Sequence, residues 1–208
     1  PFIEAIAASV ASTGNDVHVV MPYHPDLKRE PYEKGLHLHI FKYAPFRNLN
    51  IWGYAESLEA DIRVKGAIYP LTPVVFVSSL VALWRLTGRV PFNVMHGHWV
   101  IPNGPVAAAV ARLRRLPLIL SLHGSDIYVA EQSKLVGRVA RWCFRRASAI
   151  TAPSDDLRRR AIRLGAPPAR CHLVPYGVDP TQFTSMEGAG PELRRALGVS
   201  PETPLIFS

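Results

Sequence analysis

Short apolar segments alternate with longer amphipathic ones along most of the chain, and this order is the strongest constraint on its fold. Helical periodicity marks Asn103–Arg115 and Gln132–Arg146. Apolar runs of strand length are predicted at Asp16–Met21, Leu36–Tyr43, Phe92–Met95, Leu118–Leu122, Ala149–Ala152 and His172–Val174. Strands alternating with helices predict a Rossmann-like, doubly wound α/β fold with a parallel sheet. Ligands of such sheets bind beyond the carboxyl ends of the strands, so functional residues are expected there.

The composition is that of a globular protein with a substantial core. Of 208 residues, 48% are hydrophobic, and the two cysteines, Cys143 and Cys171, form no CxxC pair. We therefore expect a reduced, cytoplasmic protein rather than a disulfide-stabilised secreted one. The longest apolar stretch, Val74–Trp84, is shorter than the ~20 residues that cross a bilayer. It predicts a buried helix over Thr72–Leu86.

Positive charge is concentrated in one part of the chain. The formal net charge is +8, and the segment Arg138–Arg163 contains eight arginines against Asp155 and Asp156. This surplus indicates an anionic partner, although a solvated helix exterior explains it equally well. Nucleic acid is disfavoured because no recognition motif is present and Trp142 and Phe144 are predicted to be buried. A non-enzymatic anion- or membrane-binding module stays open as one function class.

Three histidines follow two of the predicted strands. His96 and His98 come directly after Phe92–Met95, and His123 follows Leu118–Leu122. Three histidines with an open water position would form a catalytic zinc site, so one hypothesis is a metallohydrolase. No nearby carboxylate is evident to orient each histidine, and packing or hydrogen bonding at the strand ends is the alternative.

Two further histidines alternate with apolar residues in an earlier strand. His37 and His39 lie between Leu36, Leu38 and Ile40. Such alternation is typical of a strand with one face in the core and one in water. Both histidines are therefore predicted to face solvent and need no functional role.

The turn after Leu118–Leu122 carries a second candidate group. Gly124 would let the backbone approach a ligand closely, while Ser125 and Asp126 offer an acceptor and a charge. A tight turn without a ligand is the simpler interpretation. Ser154 is predicted first as a helix cap and second as a ligand contact. The sequence contains no GxGxxG, P-loop or nucleophile-elbow motif, which argues against dinucleotide binding, P-loop chemistry and serine hydrolysis.

The order of these segments resembles the N-terminal, acceptor-side domain of glycosyltransferase family 4, whose members have the two-domain GT-B fold. The resemblance rests on several segments in register: Pro1–Ala7 with Gly14–Val20, Asn93–His98, Ser121–Asp126, Thr151–Ser154, and Val174–Asp179 with Phe183. It implies that residues 1–185 form this domain without its usual first strand and glycine-rich loop. Residues 186–208 would then be a linker and the start of a truncated donor domain.

The resemblance implies a retaining hexosyltransferase that moves a sugar from a UDP- or GDP-sugar to a hydroxyl acceptor, such as a lipid-linked or polysaccharide precursor. No metal or other cofactor is expected. By motif position, His123 would be the catalytic residue that faces the donor sugar and stabilises oxocarbenium-like charge. The substrate-binding set would comprise Gly124, Ser125, Asp126, His98, Asn103 and Ser154, and the turn toward the hinge would contain Gly177 and Asp179. This chain alone is expected to be inactive, because the residues that grip the nucleotide sugar belong to the second domain.

The resemblance also gives the basic segment a candidate partner. Many such enzymes act on lipid-linked acceptors, so the Arg138–Arg163 face, with Phe46, Trp52 and Tyr54, is predicted to contact an anionic membrane surface. The expected location is cytoplasmic and peripheral, on the inner face of the membrane.

Overall fold

The computed structural model describes residues 2–46, 49–50, 58–60, 63–64, 68–177 and 189–204. The chain divides into two units, Pro1–Pro175 and Tyr176–Ser208, and the second contains α7 (Ala189–Ala196). The elements of the first unit are α1 (Phe2–Ser12), β1 (Val17–Pro22), β2 (Tyr32–Glu33), β3 (Leu36–Phe41), β4 (Leu58–Ala60), β5 (Arg63–Val64), α2 (Ile68–Arg89), β6 (Met95–His98), α3 (Gly104–Arg114), β7 (Leu118–Ser121), α4 (Ser125–Gln132), α5 (Lys134–Arg146), β8 (Ala149–Ala152), α6 (Asp155–Arg163) and β9 (Cys171–Leu173). The predicted domain boundary after residue 185 lies outside the described residues.

Four strands form a parallel sheet in the order β6-β7-β8-β9. Each strand is joined to the next by a segment that contains a helix, as the alternating sequence pattern predicts. Leu118 and Leu120 of β7 and Ile150 of β8 are buried in the core that these strands share with the helices. The four carboxyl ends consequently lie along one edge of the sheet.

β6 begins at Met95 rather than at Phe92, and it extends through His98. Gly97 lies within this strand, and an added Cβ there would lie 3.0 Å from the Leu120 Cδ2 and 3.3 Å from the Ala107 Cβ. Glycine therefore allows β7 and α3 to pack closely against this strand.

A second sheet contains the first three strands in the order β1-β3-β2. β1 and β3 are parallel, with Leu36 and Leu38 buried as predicted. His37 and His39 lie on the more exposed face of β3, as the alternation predicts, but both are only partly exposed and their rings stack on that of His18 of β1. Among the described residues, β1 pairs only with β3 and β6 pairs only with β7, so each has one edge without a strand partner.

The helix predicted to be buried is instead largely exposed. In α2, only one side contacts the domain, with Val75 buried and Leu83 packed against the main core. Its other side carries large apolar side chains that are 37% to 60% exposed: Val74, Val77, Leu80, Val81 and Trp84. An apolar composition predicted burial, but all five side chains are substantially exposed, although the Arg114 guanidinium lies over the Trp84 ring at 3.6 Å.

One side of α5 packs on the core, and the opposite side is exposed. Phe144 is fully buried, whereas Leu135 is 68% exposed. Gly137 lies between them, and an added Cβ there would stand 2.9 Å from the backbone oxygen of Ala130 in α4. The helix therefore approaches α4 through its small residues, and Phe144 supplies the large side chain on the buried face.

Candidate active site

The carboxyl ends of β6, β7 and β8 bring together most of the residues that the sequence indicates. His98 ends β6, His123 follows β7, and Ser154 follows β8. His98 and His123 are both half-buried, so they are neither enclosed by the core nor fully solvated. Their position at a sheet edge is where ligands of parallel α/β folds bind.

His98 and His123 form a hydrogen-bonded pair. The His98 Nδ1 lies 3.2 Å from the His123 Nε2, and the ring centroids are 5.3 Å apart. The ring of His96 stacks on that of His98 at 4.3 Å, while the His96 Nε2 lies 2.7 Å from the Ser121 Oγ. Ser121 in turn lies 2.6 Å from the Thr151 Oγ1 of the next strand. Polar side chains of three adjacent strands are thus linked in one network.

This network argues against the three-histidine zinc hypothesis. The three rings do come together, but the His96 nitrogen is engaged by Ser121 rather than directed at a point shared with His98 and His123. A zinc site needs its ligand atoms to converge on one position. The metallohydrolase alternative is therefore not favoured.

Both members of the pair are neutral at physiological pH. Burial, reinforced by the charge of neighbouring histidines, lowers the pKa of His98 to about 3 and that of His123 to about 4. In a neutral pair one ring nitrogen carries the proton that the other accepts. His123 can consequently exchange hydrogen bonds with a ligand without itself carrying a charge.

Asp126 holds the backbone around this pair. Its carboxylate accepts the N–H of Val100 at 2.9 Å through one oxygen, and those of His123 at 3.2 Å and Gly124 at 3.0 Å through the other. Burial raises the pKa of Asp126, and these backbone donors oppose the rise. With only 2% of Asp126 exposed, the carboxylate is not available for the direct substrate contact that was predicted. It positions His123 instead.

Two residues with positive φ shape the turns. Gly124 has φ +106°, which side chains rarely adopt, so glycine is required there. Trp99 has φ +61°, and its ring centroid lies 4.3 Å from that of His123. Sequence reasoning assigned no role to Trp99, because nothing in the sequence shows that a tryptophan adopts this backbone conformation and covers the catalytic candidate.

The other predicted site residues lie near the same edge or beyond it. Asn103 is exposed, and its side-chain amide donates to the backbone oxygen of His98 at 2.9 Å. Ser154 accepts the N–H of Leu157 at 3.2 Å, which confirms its helix-capping role. Ser125 is exposed at the start of α4, and Gly177 is exposed in the second unit. Asp179 lies outside the described residues, and the ligand contacts of this group stay predictions.

The lowered pKa values of the histidine pair predict an acid-sensitive fold. Histidines of the unfolded chain take up protons below about pH 6.5, whereas folded His123 stays neutral down to a pKa of about 4. Below about pH 6.5 the unfolded chain therefore binds protons that the folded chain does not, so the free energy of unfolding falls as the pH is lowered from about 6.5 toward 4. Thermal unfolding between about pH 7 and 4.5 should show a falling midpoint, with a smaller fall in the double variant His98→Gln/His123→Gln. Equal losses would contradict the assignment.

A comparison of the sequence with known protein families agrees with this geometry. The family model described as Glycosyltransferase Family 4 matches residues 2–182, most of the chain. The chain belongs to glycosyltransferase family 4. His98, His123 and Asp126 all lie within the matched residues.

Two curated relatives of this family 4 chain are glycosyltransferases. One is the "Putative teichuronic acid biosynthesis glycosyltransferase TuaC" of Bacillus subtilis (strain 168), 30% identical over 108 residues, covering 51% of this chain and 27% of the relative. The other is a 2-deoxystreptamine glucosyltransferase of Streptomyces kanamyceticus, 28% identical over 154 residues, covering 67% of this chain and 39% of the relative. The chain thus spans well under half of each relative.

A solved structure supports the fold class of the family 4 chain. The sucrose-phosphate synthase of Thermosynechococcus elongatus matches with a TM-score of 0.64 at 12% identity, covering 98% of this chain and 47% of that one. At this identity the likeness concerns the fold alone. The predicted α/β, GT-B-type fold with its parallel sheet is confirmed.

Proposed function

We propose that this chain is the acceptor-side part of a retaining glycosyltransferase that moves a sugar from a nucleotide sugar to a hydroxyl acceptor. The observation that carries the proposal is the position of His123: half-buried, neutral and held by His98 and Asp126 at the carboxyl edge of the sheet. The relatives named for teichuronic acid biosynthesis and for 2-deoxystreptamine glucosylation support a glycan or sugar-like hydroxyl acceptor. The donor, a UDP- or GDP-sugar, would be bound mainly by a second lobe.

The proposed role of His123 is to stabilise the transition state. As the bond to the leaving phosphate breaks, the donor sugar acquires oxocarbenium-like positive charge. A neutral imidazole fixed by backbone and side-chain contacts can accept or donate a hydrogen bond to the sugar without reorganising, which is most effective in a site shielded from water. The leaving phosphate itself can take the acceptor proton, so the chemistry requires no protein base. No metal or cofactor takes part in this proposal.

Incubation of the enzyme, including its donor-binding lobe, with a panel of UDP- and GDP-sugars tests the reaction. We expect release of the nucleoside diphosphate and transfer with the anomeric configuration of the donor retained, as observed by nuclear magnetic resonance of the product. The 208-residue chain alone should show no turnover. An inverted product would overturn the retaining mechanism. Activity of the isolated chain would overturn the proposal that a second lobe is needed to bind the donor.

The location that we propose is the cytoplasmic face of a membrane, with α2 as the lipid-contacting element. Leu71–Arg89 is long and apolar enough, by length and composition alone, to cross a bilayer. One side of α2 packs on the domain through Val75 and Leu83, so an orientation along the membrane surface fits better than a crossing. The exposed apolar stripe ends beside Arg85 and Arg89, which suits anionic headgroups.

The Arg138–Arg163 face offers less unpaired positive charge to a membrane than its number of arginines indicates. Arg158 and Arg159 are ion-paired with Asp155, and Arg160 is paired with Asp156 and Glu131. Phe46 is 65% exposed, whereas Trp52 and Tyr54 lie outside the described residues. Ion-paired arginines offer less net charge to lipid, so the α2 stripe is the stronger candidate.

Flotation with vesicles of phosphatidylcholine and phosphatidylglycerol at low salt tests the membrane surface. Val77 is 60% exposed on the α2 stripe, so Val77→Glu should lower the bound fraction severalfold through lost apolar contact and charge repulsion. The matched control is Leu135→Glu, a similarly exposed apolar position near the basic segment, which should bind like the wild type. If Leu135→Glu alone abolishes binding, the basic face is the contact. If the wild type does not float, the membrane proposal fails.

A further inference from the structure

A second cluster of histidines lies on the other sheet, away from the His98–His123 pair. His18 of β1 and His37 of β3 are cross-strand partners, and their rings stack at 4.5 Å with 15° between the ring planes. Asp16 immediately precedes β1 and contacts both: one carboxylate oxygen lies 3.3 Å from the His18 Nε2 and the other lies 3.3 Å from the His37 Nε2. One nitrogen or oxygen atom from each of the three residues lies within 4.8 Å of the others.

The separations in this cluster fit metal ligands. A charge-assisted hydrogen bond between a nitrogen and a carboxylate is typically about 2.7–2.9 Å long, shorter than the 3.3 Å observed at both histidines. Zinc holds its ligands at about 2.0–2.2 Å in a tetrahedron, which sets neighbouring ligand atoms roughly 3.3–3.5 Å apart. Each imidazole therefore stands at such a distance from one oxygen of the Asp16 carboxylate, and one ligand atom from each of the three residues lies within 4.8 Å of the others.

A third histidine supports the arrangement from behind. The His18 Nδ1 lies 2.8 Å from the Nε2 of His39, on the side of the ring away from Asp16. Histidine ligands commonly donate their second ring N–H to an acceptor, most often a carboxylate, a carbonyl or water, which fixes the ring and leaves the other nitrogen unprotonated for the metal; here the Nε2 of His39 is placed to accept. His39 would thereby direct the lone pair of the His18 Nε2 toward Asp16 and His37.

The three side chains of the cluster differ in their exposure to solvent. The side chain of His18 is 8% exposed, while those of His37 and Asp16 are 44% and 69% exposed. A metal could reach the outer two ligands from solvent and bind the inner one. Two imidazoles and one carboxylate are a donor set suited to zinc, with water completing the coordination.

We propose that Asp16, His18 and His37 bind one Zn²⁺ ion that links β1 to β3. The site belongs to a different sheet from the His98–His123 pair, so its role is to stabilise the fold, and it takes no part in sugar transfer. Because the proposal concerns metal content alone, it stands or falls independently of the proposed function.

Zinc titration of the metal-free 208-residue chain at about pH 7.5, followed by calorimetry, tests the site. We expect one Zn²⁺ per chain, and at least tenfold weaker binding for His37→Gln and for Asp16→Asn, each of which removes one ligand. The matched control is His172→Gln, an exposed histidine of β9 that lies in the other sheet and should bind zinc like the wild type. Visible spectra of the Co²⁺ form should indicate tetrahedral coordination in the wild type and lose that signature in both ligand variants.

Two results of these titrations would overturn the zinc proposal. Failure of the wild type to bind zinc overturns the proposal, as does unchanged affinity in the His37→Gln and Asp16→Asn variants. Both altered residues are substantially exposed, so circular dichroism should show a folded chain in each case. If one variant nevertheless unfolds, the other still tests the site.

Discussion

Replacing His123 by alanine is expected to lower the kcat of the enzyme, including its donor-binding lobe, by roughly 10²- to 10³-fold. The imidazole is neutral, half-buried and held by His98 and by the Asp126–backbone contacts, so in the proposed mechanism its hydrogen bond to the sugar is organised before the reaction. An interaction that strengthens as charge develops contributes to the transition state more than to the bound substrate. The KM for the nucleotide sugar should therefore change much less than kcat, as steady-state kinetics would show.

The control for this variant is His172→Ala, which removes an exposed imidazole from the same sheet. It should keep wild-type kcat. The thermal midpoint of His123→Ala should also be measured, because the variant leaves His98 without its 3.2 Å partner. A folded His123→Ala enzyme with unchanged kcat would remove His123 from the mechanism. A loss confined to KM would make it a binding residue only.

Phe144→Ala is expected to reduce the free energy of unfolding by about 3–5 kcal/mol. Phe144 has no exposed surface and belongs to the core that α5 shares with β7 and β8, including Leu118 and Ile150. Truncation removes most of a ring from a close-packed interior, and the rigid sheet on one side limits collapse into the cavity. Urea denaturation of the 208-residue chain followed by circular dichroism gives the change directly.

Leu135→Ala on the same helix is the matched control. Leu135 is 68% exposed, so the substitution should change the free energy of unfolding by no more than about 0.5 kcal/mol. Nine residues are two and a half helical turns, so the two side chains lie on opposite sides of α5, and the structure assigns them opposite environments. Comparable losses at the two positions would show that α5 is rotated relative to the described packing.

The sequence predicts the features that depend on local order. Alternating apolar strands and helices indicate a parallel sheet, and a parallel sheet necessarily brings its strand ends to one edge. The proximity of His98 and His123 therefore follows from the positions of two strands along the chain. Ser154 could be predicted as a cap because a serine followed by two aspartates is a strong helix start.

Features that depend on which surfaces meet could not be predicted in this way. The apolar composition of Val74–Trp84 indicated burial, yet composition does not tell whether a neighbouring element covers the face. The sequence suggested that Asp126 offers a charge to a ligand. Its actual backbone partners could not be predicted, because they come from two separate turns that only the fold brings together. The same holds for His37 and His39, whose packing depends on the register between β1 and β3.

The edges of β1 and β6 that no described strand pairs with have a practical consequence for handling the protein. An edge of a valine-rich strand such as Val17–Pro22, if no strand pairs with it, presents backbone donors and acceptors that can recruit a strand from another molecule. Self-association through such edges rises with protein concentration and with transient unfolding. Dilute samples, rapid purification and charged substitutions beside these strands should therefore keep the protein soluble and dispersed.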